Sequence, residues 1–280
     1  MFKGGLAYAD RVTTVSETYA QEIQTDFYGE GLNGHLWYHR SKLRGIVNGI
    51  DTEQWDSRTD ALLPAPYGEE NALENKKANK RELQRRLGLE ENEGKFVLGL
   101  VSRLTDQKGL DLVDAVFGQM LDENTQVVVL GTGDPRYEGA FRYYENTHKG
   151  QVSACILYDE SLAHLIYAGA DALMVPSLFE PCGLTQLIAM RYGTVPVVRE
   201  TGGLKDTVAP FNPNTGEGNG FTFDRYQADL LLDTVLRARE VYTEHRDEWD
   251  RIVLRDMEKD VSWNQSARQY QELYDELRAL

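Results

Sequence analysis

FVLGLVSRLTDQKGL, residues 96–110, reads as a strand-length apolar run that breaks into a loop carrying two cations and a glycine. The run Phe96 to Val101 does not alternate apolar with polar residues, so it suits a strand buried on both faces rather than one half exposed to water. Runs of the same kind recur downstream: Gln126 to Leu130, Val152 to Leu157, Ala172 to Val175, Val195 to Val198, and a weaker one at Gly220 to Phe223. Helix-length stretches lie between them, at Leu110 to Leu121, Ser161 to Ala168 and Leu184 to Tyr192. Strand and helix alternating at this period predict an α/β fold with a doubly wound, parallel, Rossmann-like sheet, whose ligands bind in loops at the carboxyl ends of the strands.

Working outward, a charged helix is predicted over Ala72 to Leu87, with Gly88 as its C-cap. The first sixty residues differ from the rest. They hold one strand-like run, Arg11 to Ser16, a helix from Glu17 to about Gln24, and a second short run, Gly45-Ile46-Val47. Two strands cannot close a domain of their own. At the other end, Asn264 to Leu280 predicts a helix with Ala267, Tyr270, Leu273, Tyr274 and Leu277 on a buried face.

A formal net charge of −15 argues against a general nucleic-acid or anionic-membrane surface, though a local basic cluster can still bind phosphate. No apolar run approaches the ~20 residues that a membrane span needs, and no signal peptide is recognisable. The two cysteines, Cys155 and Cys182, lack metal-ligand spacing and point to a reducing compartment, with the cytoplasm as the expected location.

Four small-residue loops follow predicted strands. Ser102 to Gly109 carries Arg103 and Lys108, which can converge on one anion or simply be a solvated pair. Gly131-Thr132-Gly133-Asp134-Pro135 and Thr201-Gly202-Gly203-Leu204 allow close approach of backbone to a ligand, or are tight turns. In Pro176 to Gln186, Pro181 and Gly183 delay the helix until Leu184 and leave free N–H groups at its start, a geometry that binds phosphate. Glu180, just before that turn, is either a crevice carboxylate or a helix cap. No Gly-x-Gly-x-x-Gly follows the first strand of the sheet, which argues against a Rossmann dehydrogenase.

Together these residues resemble the bacterial glycogen synthases and plant starch synthases, glycosyltransferases of the two-domain GT-B type. The resemblance is carried by Glu180-Pro181-Cys182-Gly183-Leu184-Thr185-Gln186, by Arg103 to Gly109 in the form SRLTxQKG, by Thr201 to Leu204, and by Asn48-Gly49-Ile50-Asp51, which is similar to the family's interdomain motif. It implies retaining transfer of glucose from ADP-glucose to the non-reducing end of an α-1,4-glucan. Glu180, Arg103 and Lys108 would be the catalytic residues; Gly131, Tyr158, Gly183, Leu184, Thr185 and Asn48 would hold the donor, with Tyr158 stacking on adenine. Two unit charges from Arg103 and Lys108, plus roughly +0.5 from a helix terminus, are comparable to one Mg²⁺, so no metal and no other cofactor is expected. Related enzymes carry a second glutamate eight positions after the first; here that residue is Ile188, with Gln186 as a nearby polar substitute. His164 reads as structural, and Cys182 as a small residue beside the site.

The resemblance also divides the chain into 1–47, the tail of an N-terminal acceptor domain; 48–261, the nucleotide-sugar domain; and 262–280, a helix returning toward the first domain. The family's Lys-x-Gly-Gly-Leu signature is not reproduced by Lys3-Gly4-Gly5-Leu6, which lacks the spacer and is expected to be a loop or helix end with Lys3 solvated. The expectation is a fragment that binds ADP or ADP-glucose and does not elongate glucan alone. The competing readings are a non-catalytic ADP-sugar sensor and a GT-B enzyme that uses a UDP-sugar.

Overall fold

The computed structural model describes residues 2–279. Its strands, in chain order, are β1 (Val12–Thr14), β2 (Leu43–Gly45), β3 (Phe96–Val101), β4 (Thr125–Leu130), β5 (Val152–Cys155), β6 (Ala172–Val175), β7 (Val195–Arg199) and β8 (Phe221–Phe223). The helices are α1 (Phe2–Tyr8), α2 (Glu17–Glu22), α3 (Asn33–Tyr38), α4 (Ala72–Arg86), α5 (Leu110–Met120), α6 (Pro135–Thr147), α7 (Glu160–Gly169), α8 (Thr185–Arg191), α9 (Gly202–Thr207), α10 (Ala228–Glu244), α11 (Arg246–Glu258) and α12 (Trp263–Arg278).

Six strands form the expected parallel sheet in the order β5-β4-β3-β6-β7-β8. The order reverses between β3 and β6, so their carboxyl ends diverge and open the crevice in which such sheets bind ligands. Helices cover both faces: α5 packs with α6 and α10, while α4, α7, α8 and α11 form a second layer. Phe96, Val97 and Leu98 of β3 and Val128 and Val129 of β4 are fully buried, each contributing roughly 1.5–3 kcal/mol of apolar burial. Continuous apolar runs of this kind have no solvent face to present, which is why they do not alternate.

At the amino edge of the sheet, Lys80 Nζ donates to Asp171 Oδ2 (2.7 Å) and to Tyr242 Oη (2.8 Å), and Asp171 Oδ2 also accepts from Val97 N. Lys80 Nζ also donates to Glu93 O and Lys95 O, so its hydrogens are all engaged in tying α4 to the sheet.

Several local expectations shift. The second early strand is Leu43–Gly45 rather than 45–47, because pairing in register with Val12–Thr14 decides its limits. Of the two alternatives for residues 3–6, a loop or a helix end, the structure takes the helical one, within α1; Lys3 is exposed, as expected, and its carbonyl oxygen is 3.1 Å from His35 Nε2. The helix-length stretches read from the sequence do not include 135–147, yet α6 follows the glycine turn there: Asp134 caps the helix by accepting from Arg136 N, and Pro135 occupies the first turn, where its missing N–H costs nothing. The buried side of α6 is Tyr137 and Phe141, an aromatic face with no aliphatic run to mark it in the sequence. In α12 the buried residues are Ser266 and Leu273, whereas Ala267 and Tyr274 face solvent. That narrow contact is set by Ser266 Oγ, which donates to Val47 O at 2.6 Å.

The first segment docks on the sheet through α2 and α9. Asp206 accepts from Ser16 Oγ and Thr18 Oγ1, both at 2.5 Å, and Glu22 Oε1 accepts from Thr201 Oγ1 at 2.8 Å. Among the described residues no helix is long and apolar enough to cross a membrane.

Candidate functional site

Two loops meet at the reversal between β3 and β6. The first leaves β3 through Ser102 and Arg103, forms a single 3₁₀ turn at Asp106–Lys108, and enters α5 through Gly109. Gly109 adopts φ +71°, and a Cβ there would collide with the Pro176 carbonyl oxygen. Only glycine lets this loop press against the end of β6. The second loop leaves β6 through Pro176 and Ser177 and turns at Gly183 (φ +71°) into α8.

Their meeting brings Lys108 Nζ to 2.6 Å from Glu180 Oε2, which also accepts from Ser177 Oγ at 2.9 Å. Both partners of this ion pair are largely buried. The sequence presents Arg103 and Lys108 as two unit charges; in the structure Glu180 compensates Lys108, so the three residues together carry one net positive charge rather than two. Arg103 is exposed and donates to Gln107 Oε1 at 2.9 Å, which leaves guanidinium hydrogens for a ligand. Thr185, at the start of α8, shares a small cleft with Lys108 and Ser177, while the preceding Leu184 is exposed.

Beside the pair lies a cavity of about 310 Å³ whose wall includes Arg103, Gly131 and Tyr158. Gly131 follows β4 so closely packed that a Cβ would strike Ser102 O. Tyr158, after β5, is 89% exposed, a rim aromatic and not a core one. Ile188 forms part of the cavity wall, so a hydrocarbon surface stands at the position eight residues after Glu180. Gln186, the polar residue expected near Glu180, spends its Nε2 on Gly183 O (2.7 Å), Cys182 O (3.2 Å) and Thr207 Oγ1 (3.1 Å), stapling the loop from beneath, while its buried Oε1 has no hydrogen-bond partner. Asn48 is not in this cavity. It lines a separate cleft with Asp206 and Lys259, and its backbone contacts Cys182. Burial pushes the Cys182 thiol up from its usual range, which disfavours the thiolate. His164 is buried with Asp60, as a structural histidine should be.

Trp55 and Tyr167 also line the cavity and were not singled out in the sequence. The signal for Trp55 was an aromatic residue seven positions after Asn48, in a stretch with no other claim on it. Among the described residues no group of three His, Cys, Asp or Glu side chains is arranged to hold a metal ion.

The family described as Glycosyl transferases group 1 matches residues 80–252, which contain both loops and the whole six-stranded sheet. The chain belongs to the group 1 glycosyl transferases. A second family, described as the starch synthase catalytic domain, matches residues 1–38. This glycosyl transferase is 56% identical over 275 residues to a glycogen synthase of Lachnospira eligens, an alignment covering 98% of this chain and 58% of that protein. Its fold superimposes on the catalytic domain of starch synthase IV from Arabidopsis thaliana, solved with ADP and acarbose, with a TM-score of 0.91 and 39% identity over 98% of this chain and 57% of that one. A sucrose-phosphate synthase from Thermosynechococcus elongatus shares the fold alone, at a TM-score of 0.65 and 22% identity over 99% and 61% of the two chains. The chain thus spans a little under three fifths of the length of the curated relatives it matches.

Proposed function

We propose that this chain binds ADP-glucose as the donor-side part of a glycogen or starch synthase, and that the protein at the length of its relatives transfers glucose from that donor to the non-reducing end of an α-1,4-glucan with retention of configuration. The observation that carries the reading is the convergence of Lys108 and Glu180 at the β3/β6 reversal, next to a cavity with Arg103 at its mouth and Tyr158 on its rim. Support comes from the 56% identity to a glycogen synthase and from the 39% identity to a starch synthase solved with ADP.

In this reading the donor diphosphate lies against Arg103, Lys108, Thr185 and the backbone of Gly183 and Leu184, and the adenine lies in the cavity by Gly131 and Tyr158. As the glycosidic bond breaks, negative charge grows on the departing ADP. A cation about 4 Å away gains on the order of 4 kcal/mol of gross Coulomb energy at an effective dielectric near 20, and more of this is realised as charge develops. Glu180 holds Lys108 in place before the donor arrives and offers its carboxylate to the glucose as positive charge develops on the sugar ring. Asn48, against Cys182, belongs to the junction between 1–47 and 48–261, with 262–280 returning across the first segment. No metal or other cofactor is part of the proposal. A cytoplasmic setting is, supported by the free thiols Cys155 and Cys182.

The test is a calorimetric titration of the chain with ADP and with UDP, beside the Arg103→Ala variant. Tighter binding of ADP than UDP, weakened by the substitution, supports the reading. Equal binding or a preference for UDP would move the chain to a UDP-sugar enzyme, and ADP binding indifferent to Arg103 would remove the diphosphate site.

A further inference from the structure

The loop between Asp51 and Tyr67 is tied into the protein by a buried polar network that takes no part in the Lys108–Glu180 site. Asp60 Oδ2 accepts from His164 Nδ1 and from Tyr192 Oη, both at 2.7 Å, and Asp60 Oδ1 accepts from Leu62 N at 2.9 Å. Tyr67 Oη donates to Tyr192 O (2.7 Å), and Ser57 Oγ donates to Tyr67 O (2.7 Å). Asp60, His164, Tyr192 and Tyr67 are all buried. Polar groups placed so deep cost free energy unless every one is paired, and here the pairing is nearly complete.

One residue of this loop reaches the cavity. Trp55 stacks on the His164 imidazole with ring centroids 4.2 Å apart and planes 20° from parallel, and it meets Tyr167 edge-on at 5.7 Å. Asp56, its neighbour, pairs with Arg191 at 3.3 Å and Gln54 reaches Glu160 at 3.4 Å, so the indole is fixed from both sides along the chain. A ring clamped in this way is a preorganised apolar wall, which loses little entropy when a flat ligand packs against it. Tyr158, by contrast, is exposed and makes no comparable contact.

We propose that Trp55 is a base-recognising wall of the cavity and that Asp60, His164 and Tyr192 are positioning residues that set the angle of its ring. The inference rests on the donor site described above. The ligand class is a purine nucleotide, because the clamped indole offers a broad apolar aromatic face that a two-ring base covers more fully than a single pyrimidine ring.

The experiment measures ADP and inorganic pyrophosphate binding by calorimetry, and ADP-dependent tryptophan emission, for the wild type and for Trp55→Leu, Trp55→Phe and His164→Ala. Trp55→Leu and His164→Ala are expected to weaken ADP about tenfold and to leave pyrophosphate unchanged, because only the base is lost. Trp55→Phe keeps an aromatic wall, so it should bind ADP within about threefold of the wild type while losing the ADP-dependent emission change. If ADP and pyrophosphate weaken together, or if neither changes while the wild type still prefers ADP, the inference is overturned and the donor site stands. If the wild type binds ADP no better than pyrophosphate, the nucleotide reading itself falls and takes this inference with it. Should His164→Ala not fold, the two Trp55 variants decide.

Discussion

Lys108 Nζ and Glu180 Oε2 lie 2.6 Å apart although seventy-two residues separate them in the chain. The pair is the point at which the β3 and β6 loops become one site. Each partner limits the other: the carboxylate keeps the lysine from solvent, and the lysine makes the buried carboxylate tolerable. Glu180→Gln should therefore separate binding from turnover. Freed of its counter-charge, Lys108 is expected to hold the ADP diphosphate about fivefold more tightly, a gain of ~1 kcal/mol. Glucose transfer by the protein at its relatives' length should fall at least a hundredfold. Calorimetry and a labelled-glucose assay read the two effects, and weaker ADP binding would contradict the pairing.

Gly109→Ala tests whether the glycine holds the loop against Pro176. The new Cβ meets a carbonyl oxygen and the backbone is left-handed, so a loss of roughly 2–3 kcal/mol in stability is expected, with ADP affinity falling as Lys108 is displaced. Denaturant unfolding measures the first and titration the second. An unchanged midpoint would show that the loop can relax away from β6.

Tyr158→Ala should behave in the opposite manner. A side chain that is 89% exposed contributes little to folding, so stability should change by less than about 0.5 kcal/mol. If the phenol stacks on adenine, ADP binding should weaken by ~1–2 kcal/mol. A thermal melt that drops sharply would show that Tyr158 packs on something in solution.

Asp256 predicts a pH dependence. It is fully buried, and neither carboxylate oxygen has a hydrogen-bond partner. The nearby Asn219 amide donates instead to Met190 Sδ and Thr207 O. Burial, only partly opposed by Asn219, Lys259 and Arg255, holds the group well above the ordinary carboxylate range, so the native state keeps a proton that the unfolded chain gives up. A raised folded pKa means stability that is fully present below about pH 4 and is lost as pH climbs toward the folded value, at up to ~1.4 kcal/mol per unit. Asp256→Asn should flatten that slope and raise the melting temperature at pH 8 while changing little at pH 4. Parallel pH–stability curves for the two proteins would show that Asp256 ionises without cost.

Asp206 gathers the first segment onto the glycine turn of α9. Removing it leaves Ser16 Oγ and Thr18 Oγ1 without their acceptor, so Asp206→Ala should cost about 1.5–3 kcal/mol and expose residues near 1–47 to proteolysis before the sheet opens. Hydrogen exchange resolves the two regions. Uniform loss of protection in both would mean that the segment and the sheet unfold as one unit.

The sequence by itself determined the sheet and the loops that serve it. Phe96–Val101 and its five companions are legible because strands buried on both faces must be apolar throughout, and glycines such as Gly109 and Gly183 are legible because little else fits those backbones. The motif residues Arg103, Lys108 and Glu180 could be placed at strand ends for the same reason. Tertiary structure alone decided which charges are free. Lys108 is neutralised by Glu180, the Gln186 amide nitrogen is spent on Cys182, Gly183 and Thr207, and Asn48 faces a different cleft, because ion pairs and hydrogen bonds between distant segments leave no periodic trace. Trp55 shows the limit most clearly: its place in the cavity follows from Asp60, His164 and Tyr192 closing around it, and contacts across 132 residues are set by the folded path of the chain, not by spacing along it.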